Sequence, residues 1–436
     1  MKYKKSYYNI EYDNKIDGNA LIFNAVSGAL GLMDENDYST YCGIEELEYD
    51  DCEENENIKD MYKNGYILKE DIDEIKKIEL EHRLLRYSVN GALHITIAPT
   101  MRCNMQCPYC YEHKENKDMS LRVENDLIEY IENYLSKNKK INTLSVAWYG
   151  GEPLLMKETI VRISERFIEY CKKNNVTYTS NIVSNGVLLD FDTAVTLKEK
   201  CLVSRAQITL DGIEETNNKT RVLKSRENSF EIITKNIESI RDIIKVSIRM
   251  NVSKENIQEC DKLINYVKDK NWNENVNLYF APVIAYNNSN SETKNSCFEI
   301  EEFNKEWSTL ENHLVSENFK GNITYPENFF GCSALGVHSL VIDPEGNFSK
   351  CWHRINLPQH FIGNIYDGIE FNKEHTDWLM MDTPEKCNKC KVFPICRGGC
   401  PEKRIEDNMP NCDYSEDEIK ETIYNYYNNM NINKYV

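Results

Sequence analysis

The segment Thr-Met-Arg-Cys-Asn-Met-Gln-Cys-Pro-Tyr-Cys-Tyr, residues 100–111, gathers Cys103, Cys107 and Cys110 into one short loop. The loop directly follows a run in which Leu93, Ile95 and Ile97 recur with the period of a strand. It supplies three thiolates, one fewer than a cubane iron–sulfur cluster takes when closed. One iron would then be left to hold an exogenous molecule. A chain built around such a loop must place it at a strand end.

From Ala92 onward strands and helices alternate. Strand patterns at Thr143–Tyr149, Thr177–Ser184, Arg205–Leu210, Val246–Val252 and Leu278–Val283 are separated by helical ones at 121–135, 157–172, 194–200, 229–243 and 257–267. Repeated βα units imply a parallel sheet with helices outside, and ligands bound where the βα loops converge at the carboxyl ends of the strands.

The C-x3-C-x2-C spacing resembles that of the radical S-adenosylmethionine (radical SAM) enzymes. The resemblance implies a partial (β/α)6 barrel, and a 4Fe-4S cluster on Cys103, Cys107 and Cys110 whose open iron chelates S-adenosylmethionine. Tyr149-Gly150-Gly151-Glu152-Pro153 is similar to the family's Gly-Gly-Glu-Pro motif, which holds the methionine amino group by backbone and in part by the acidic side chain. Adjacent glycines suit this because they allow positive φ and close backbone approach. Tyr109 corresponds to the aromatic that packs near adenine. Thr209 and Arg221 stand where sulfatase-maturase-type relatives place a Ser and an Arg on the cofactor, and an Arg fork suits a carboxylate. Ser184 and Asn185, closing another strand, are expected to meet ribose or substrate or to form a plain turn.

The last hundred residues carry Cys332, Gly346, Cys351, then Cys387, Cys390, Cys396 and Cys400, and finally Cys412. This order resembles the SPASM extension, which carries two auxiliary 4Fe-4S clusters and accompanies peptide- and protein-modifying enzymes. Carried over, Cys387, Cys390, Cys396 and Cys412 ligate one cluster, and Cys332, Cys351 and Cys400 give three ligands of the other. Its fourth ligand is missing from Tyr325–Gly331, so either Cys297 reaches in or that iron is open. C-x2-C pairs are also the grammar of zinc ribbons, although those come as matched knuckles and this set is uneven. Asp343–Gly346 reads as a hairpin turn.

Four segments follow: a small α+β domain at 1–90, the partial barrel at 91–290, a bridge at 291–330, and the SPASM domain at 331–436. The first domain matches in length the peptide-recognition domains of many peptide-modifying relatives, and its acidic run from Glu45 to Glu56 reads as a solvated loop. A net charge of −19 argues against a nucleic-acid substrate, which is bound through clustered Lys and Arg. No run of apolar residues is long enough to span a membrane or follow a basic start as a signal, so a cytoplasmic protein is expected. Of the 16 cysteines, six (Cys42, Cys52, Cys171, Cys201, Cys260 and Cys297) have no close partner in sequence and read mostly as buried thiols. The expected activity is radical oxidation of a ribosomally made peptide bearing a leader, with thioether cross-linking of Cys foremost. Formylglycine formation in a sulfatase and carbon–carbon linkage are the alternatives. Sulfatase maturases usually carry an Asp base directly after the Cys that corresponds to Cys351, whereas this chain has Trp352 and then His353, which becomes the candidate base. A reductant such as flavodoxin or ferredoxin would supply electrons. A non-catalytic cluster carrier would need the cysteines without the cofactor residues.

Overall fold

The computed structural model describes residues 2–12, 16, 18–46, 55–88, 91–112, 115–285, 291–319, 331–407, 409–410, 412 and 415–432. Cys52, most of the acidic run and the stretch 325–330 lie outside the described residues. The chain divides into two compact units, one of Met1–Tyr87, Ile323–Cys332 and Met381–Val436, the other of Ser88–Asn322 and Ser333–Met380.

In the first unit, β1 (Tyr3–Lys5) is paired antiparallel with a later strand, while β2 (Asn9–Glu11), β3 (Ala20–Asn24) and β4 (Leu30–Met33) form an antiparallel sheet. The partner of β1 is β5 (Ile67–Lys69). Helix Glu74–Arg86 is started by Asp73, whose carboxylate accepts the Lys76 amide at 3.2 Å and so satisfies one orphan N–H of the first turn. The unit's core joins the two ends of the chain: Tyr8, Ile10, Leu21, Phe23 and Ile78 pack in one cluster with Cys387, Phe393, Ile395 and Ile423.

The second unit is built on a sheet of eight strands, six of them successive in the chain and two from the C-terminal segment. Strands β6 (Gly91–Ile97), β7 (Ile141–Trp148), β8 (Thr177–Ser184), β9 (Val203–Thr209), β10 (Lys245–Val252) and β11 (Val276–Pro282) are parallel and adjacent in chain order, as the alternating pattern predicts. Along β10, Val246, Ile248, Met250 and Val252 are buried in the unit's core, whereas Ser247, Arg249 and Asn251 alternate with them and are only half-buried. One face of the sheet is thus apolar and covered, and the other is polar. The helix Lys157–Lys173 buries Ile160, Ile163 and Phe167 in that core. The bridge contributes too, since its helix Ile300–Ser316 sends Phe303, Leu310 and Leu314 into the same cluster.

The remaining strands come from the C-terminal segment. β12 (Ser339–Ile342) pairs parallel with β6, and β13 (Phe348–Ser349) pairs antiparallel with β12. The expected turn joins them: the Asp343 carboxylate accepts the Glu345 and Asn347 amides at 2.9 Å each, and Gly346 takes φ of +86°. This hairpin continues the sheet beside the strand that leads to the three-Cys loop.

Candidate functional site

The loop after β6 is fixed on both flanks. Thr100 Oγ1 and Arg102 Nε donate to the Asp118 carboxylate at 2.6 and 2.7 Å, and the Gln106 amide donates to the Val222 carbonyl at 2.8 Å. The Gly-Gly turn after β7 is pressed against its back. Gly150 has φ of +119°, the Gly151 amide donates to the Thr100 carbonyl at 3.2 Å, and a Cβ on Gly151 would lie 2.3 Å from the Arg102 carbonyl oxygen. The two glycines are therefore needed for close approach as well as for the turn.

The loops and ends of all six parallel strands, together with the segment after β13, surround one cavity of about 290 Å³. Cys103, Cys107 and Cys110 stand on its wall beside Tyr109 and the two glycines. Ser184, Asn185, Thr209 and Arg221 face them, and His353 is there as well. Asn185 is tied to the Cys loop, its Nδ2 donating to Asn104 Oδ1 at 2.7 Å and lying 3.8 Å from the Cys103 sulfur.

Two expected site residues are placed otherwise. Glu152 lies behind the wall, fully buried, and its carboxylate is taken by the chain itself: Oε1 accepts from the Leu154 amide (3.1 Å) and Ser184 Oγ (2.9 Å), and Oε2 from the Asn185 amide (2.8 Å). Burial raises its pKa, and these three donors work against the rise. Its visible role is to clamp the β7 turn to the end of β8. Cys297 is off the cavity wall, with its thiol 3.1 Å from the Thr293 carbonyl oxygen.

Asp211, Asn251, Tyr111 and Tyr149 were not singled out in the sequence. The Tyr109 hydroxyl donates to the buried Asp211 carboxylate and accepts from Arg221 Nη1 at 3.1 Å and Asn251 Nδ2 at 3.2 Å. Burial works against the Arg221 charge, but Cys107, Tyr109 and Asp211 around it hold the guanidinium protonated. Arg221 Nε is buried without a hydrogen-bond partner among the described residues. Also on the lining, the Tyr111 and Tyr149 hydroxyls share a hydrogen bond. Trp352 stacks on Tyr149 with centroids 5.1 Å apart, and His353 meets Tyr111 edge-on at 4.7 Å. Asp211 was legible as the neighbour of a strand end, but Tyr149 and Tyr111 carry no signal besides adjacency to motifs.

In the first unit Cys387 is buried, and its thiol is pushed up to about 11 by burial, with the neighbouring Cys396, Cys390 and Cys412 adding to the effect. Cys332 is an electrostatic neighbour of Cys400 in the same way. Among the described residues no three Cys, His, Asp or Glu side chains meet at a single metal position. A cubane does not require that, because each thiolate binds a different iron.

The family model described as Radical SAM superfamily matches residues 97–267. Those residues form a radical SAM domain. The constellation fits the family's cofactors on the structure's own terms: three thiols on the lining, a backbone turn that admits no Cβ, and an orphaned Arg221 Nε beside them. The chain is 25% identical over 351 residues to the cysteine-type anaerobic sulfatase-maturating enzyme of Clostridium novyi, covering 73% of this chain and 90% of that one. Its radical SAM fold is similar to that of anSMEcpe solved with AdoMet and the Cp18Cys peptide, with TM-score 0.58 and 19% identity over 80% of this chain and 100% of that one. It is also similar to Streptococcus suis SuiB bound to precursor peptide SuiA, with TM-score 0.51 and 14% identity over 96% and 99%. Among the described residues no helix is long and apolar enough to cross a membrane.

Proposed function

We propose that this radical SAM enzyme oxidises a cysteine-containing peptide or protein. The observation that carries this reading is one cavity lined by the three-Cys loop and Arg221 together with the aromatic side chains of Tyr111, Tyr149, Trp352 and His353. When bound, the cluster and S-adenosylmethionine supply a carbon-centred radical that abstracts hydrogen. Cys103, Cys107 and Cys110 would hold the cluster. Arg221, with its charge maintained by Asp211 and its Nε unsatisfied, would take the methionine carboxylate, and the Gly150–Gly151 backbone the amino group. Thr209, Ser184, Asn185 and the Tyr109 hydroxyl network would orient the remainder, and the buried Tyr149, bonded to Tyr111, would shield its side of the cavity from water. His353, edge-on to Tyr111, is the residue placed to accept a proton. The C-terminal cysteines would hold two auxiliary clusters, and a flavodoxin- or ferredoxin-type donor would reduce the first.

Sequence similarity to the cysteine-type sulfatase-maturating relative supports oxidation of a Cys to formylglycine. A second reading, cross-linking of a precursor peptide through a thioether or a carbon–carbon bond, draws on coverage. The maturase matches leave a quarter to a fifth of this chain uncovered, whereas the match to SuiB with its precursor spans 96% of it. Trp352, stacked in the position where maturases carry an Asp, points the same way. In that reading the N-terminal strands offer edges for a leader to join.

The test is anaerobic incubation of the reconstituted protein with S-adenosylmethionine, a reductant and the short Cys-containing peptides encoded beside its gene, followed by tandem mass spectrometry. Loss of two hydrogens with sulfur retained and the thiol blocked establishes cross-linking. Exchange of sulfur for oxygen together with loss of two hydrogens in an added sulfatase-type peptide, with the neighbouring peptides untouched, establishes formylglycine. Unchanged peptides of both kinds would refute the proposal.

A further inference from the structure

Arg249 lies on the cavity wall one strand beyond Thr209, with which it is in register, and its other cross-strand neighbour is Tyr279. It is half-buried, and its Nε donates to Asn251 Oδ1 at 2.9 Å. Among the described residues no carboxylate lies within ion-pair distance of its guanidinium, in a chain where 71 acidic residues outnumber 52 Lys and Arg. The other sequestered arginines of this unit are answered. Arg354 bonds Glu374 at 2.6 Å, Arg241 bonds Glu238 at 3.3 Å, and Arg221 has Asp211 beside it. A cation withdrawn from water without an anion is costly, and the cost is recovered when a ligand brings one.

We propose that Arg249 is a specificity residue that takes a carboxylate of the substrate, an Asp or Glu side chain near the residue being oxidised. The inference rests on the peptide reading above. The cofactor's carboxylate has its own place at Arg221, where a buried Nε is unsatisfied. Arg249 instead shares the cavity with Ile284 and Trp352, which are 38% and 39% exposed and mark the side open to solvent. A planar guanidinium fork fits a carboxylate with two parallel bonds, which a backbone carbonyl or an amide side chain cannot reproduce.

The test titrates the short Cys-containing peptide encoded beside the gene into the reconstituted protein with S-adenosylmethionine present, by calorimetry. Each Asp and Glu of the peptide is replaced in turn by Asn or Gln. One such replacement should weaken binding about tenfold or more, the scale of a charge-assisted hydrogen bond. Arg249→Gln should weaken binding of the unaltered peptide by a similar factor, the two changes together should cost little more than either alone, and Arg249→Lys should fall between. Equal binding of all peptides and of the variant overturns the assignment. So does a variant that loses S-adenosylmethionine rather than peptide, since the carboxylate is then the cofactor's. Failure of the unaltered protein to bind or change any peptide overturns the peptide reading itself, an outcome that involves no variant. If Arg249→Gln fails to fold, the peptide replacements still decide.

Discussion

The two sets of cysteines live in different surroundings. Cys103, Cys107 and Cys110 line a cavity at the strand ends, on a loop whose backbone is bonded to its neighbours, and of the three only Cys103 is buried in the core of that unit. Cys387, Cys390 and Cys396 pack against Tyr8, Ile10, Phe23 and Phe393 in the core of the other unit. The first set can be lost with the fold intact, because Cys103 is one small member of a large core and Cys107 and Cys110 are only half-buried. The second set is part of the hydrophobic core before any metal is considered. One set therefore stands at the cavity, and the other, Cys387 above all, in a hydrophobic core.

The sharpest way to break this contrast is to replace Cys103, Cys107 and Cys110 together with Ala. Formation of 5′-deoxyadenosine should fall below detection, while the far-ultraviolet circular dichroism and the thermal unfolding of the protein stay close to those of the parent. Cleavage that persists would remove the core assignment. Collapse of the fold would show that the loop is structural after all.

Next in size is Gly151→Ala. The added methyl meets the Arg102 carbonyl oxygen at 2.3 Å, and backbone cannot turn aside as a side chain can. The Cys loop must shift by an ångström or so, and misplacement on that scale costs on the order of 100-fold in rate. A rate of S-adenosylmethionine cleavage within a few-fold of the parent would mean that the turn does not set the loop's position.

What the sequence made legible follows the same division. The six parallel strands were readable because each carries a period-two pattern bounded by helical periodicity, and the β8 boundaries agree to the residue. The cysteine groups were readable because ligand spacing is local. The core of the first unit was not, since nothing in the pattern of Tyr8 or Phe23 names Phe393 or Ile423 as a partner. Glu152 shows a second limit. A motif gives the residue but not the direction of its side chain, and this carboxylate turned inward to serve Ser184 and Asn185. Arg249 was hidden in a strand pattern whose apolar half was informative and whose polar half looked like solvent-facing filler.

The first unit should also respond to acid. His82 in helix Glu74–Arg86 is buried, its Nε2 has no hydrogen-bond partner among the described residues, and Arg397, Arg86 and Arg404 are near it. Burial, helped by these arginines, brings its pKa from 6.5 down to about 3. The unfolded chain thus takes up the proton first. The stability tied to neutral His82 is complete above pH 6.5 and is lost as the pH falls toward 3, by about 2 kcal/mol between pH 7 and pH 5. Urea unfolding at those two pH values should show the loss in the parent and a smaller one in His82→Gln. Equal losses would mean that other groups set the acid response.

The smallest effect is the most direct measure of the contrast between the two cysteine sets. Cys387 is 7% exposed and surrounded by apolar side chains, so Cys387→Ala leaves a void about the size of one methylene group. That should cost about 1 kcal/mol of unfolding free energy in metal-free protein. Cys107 is half-buried on the cavity wall, so Cys107→Ala leaves no enclosed void and should cost less than about 0.5 kcal/mol. Because both proteins are stripped of metal, urea midpoints report packing alone, whereas the same pair after reconstitution would add the loss of cluster ligation. If the metal-free order is reversed, the C-terminal cysteines do not act as core, and the hydrophobic cluster that joins the two ends of the chain must hold without them.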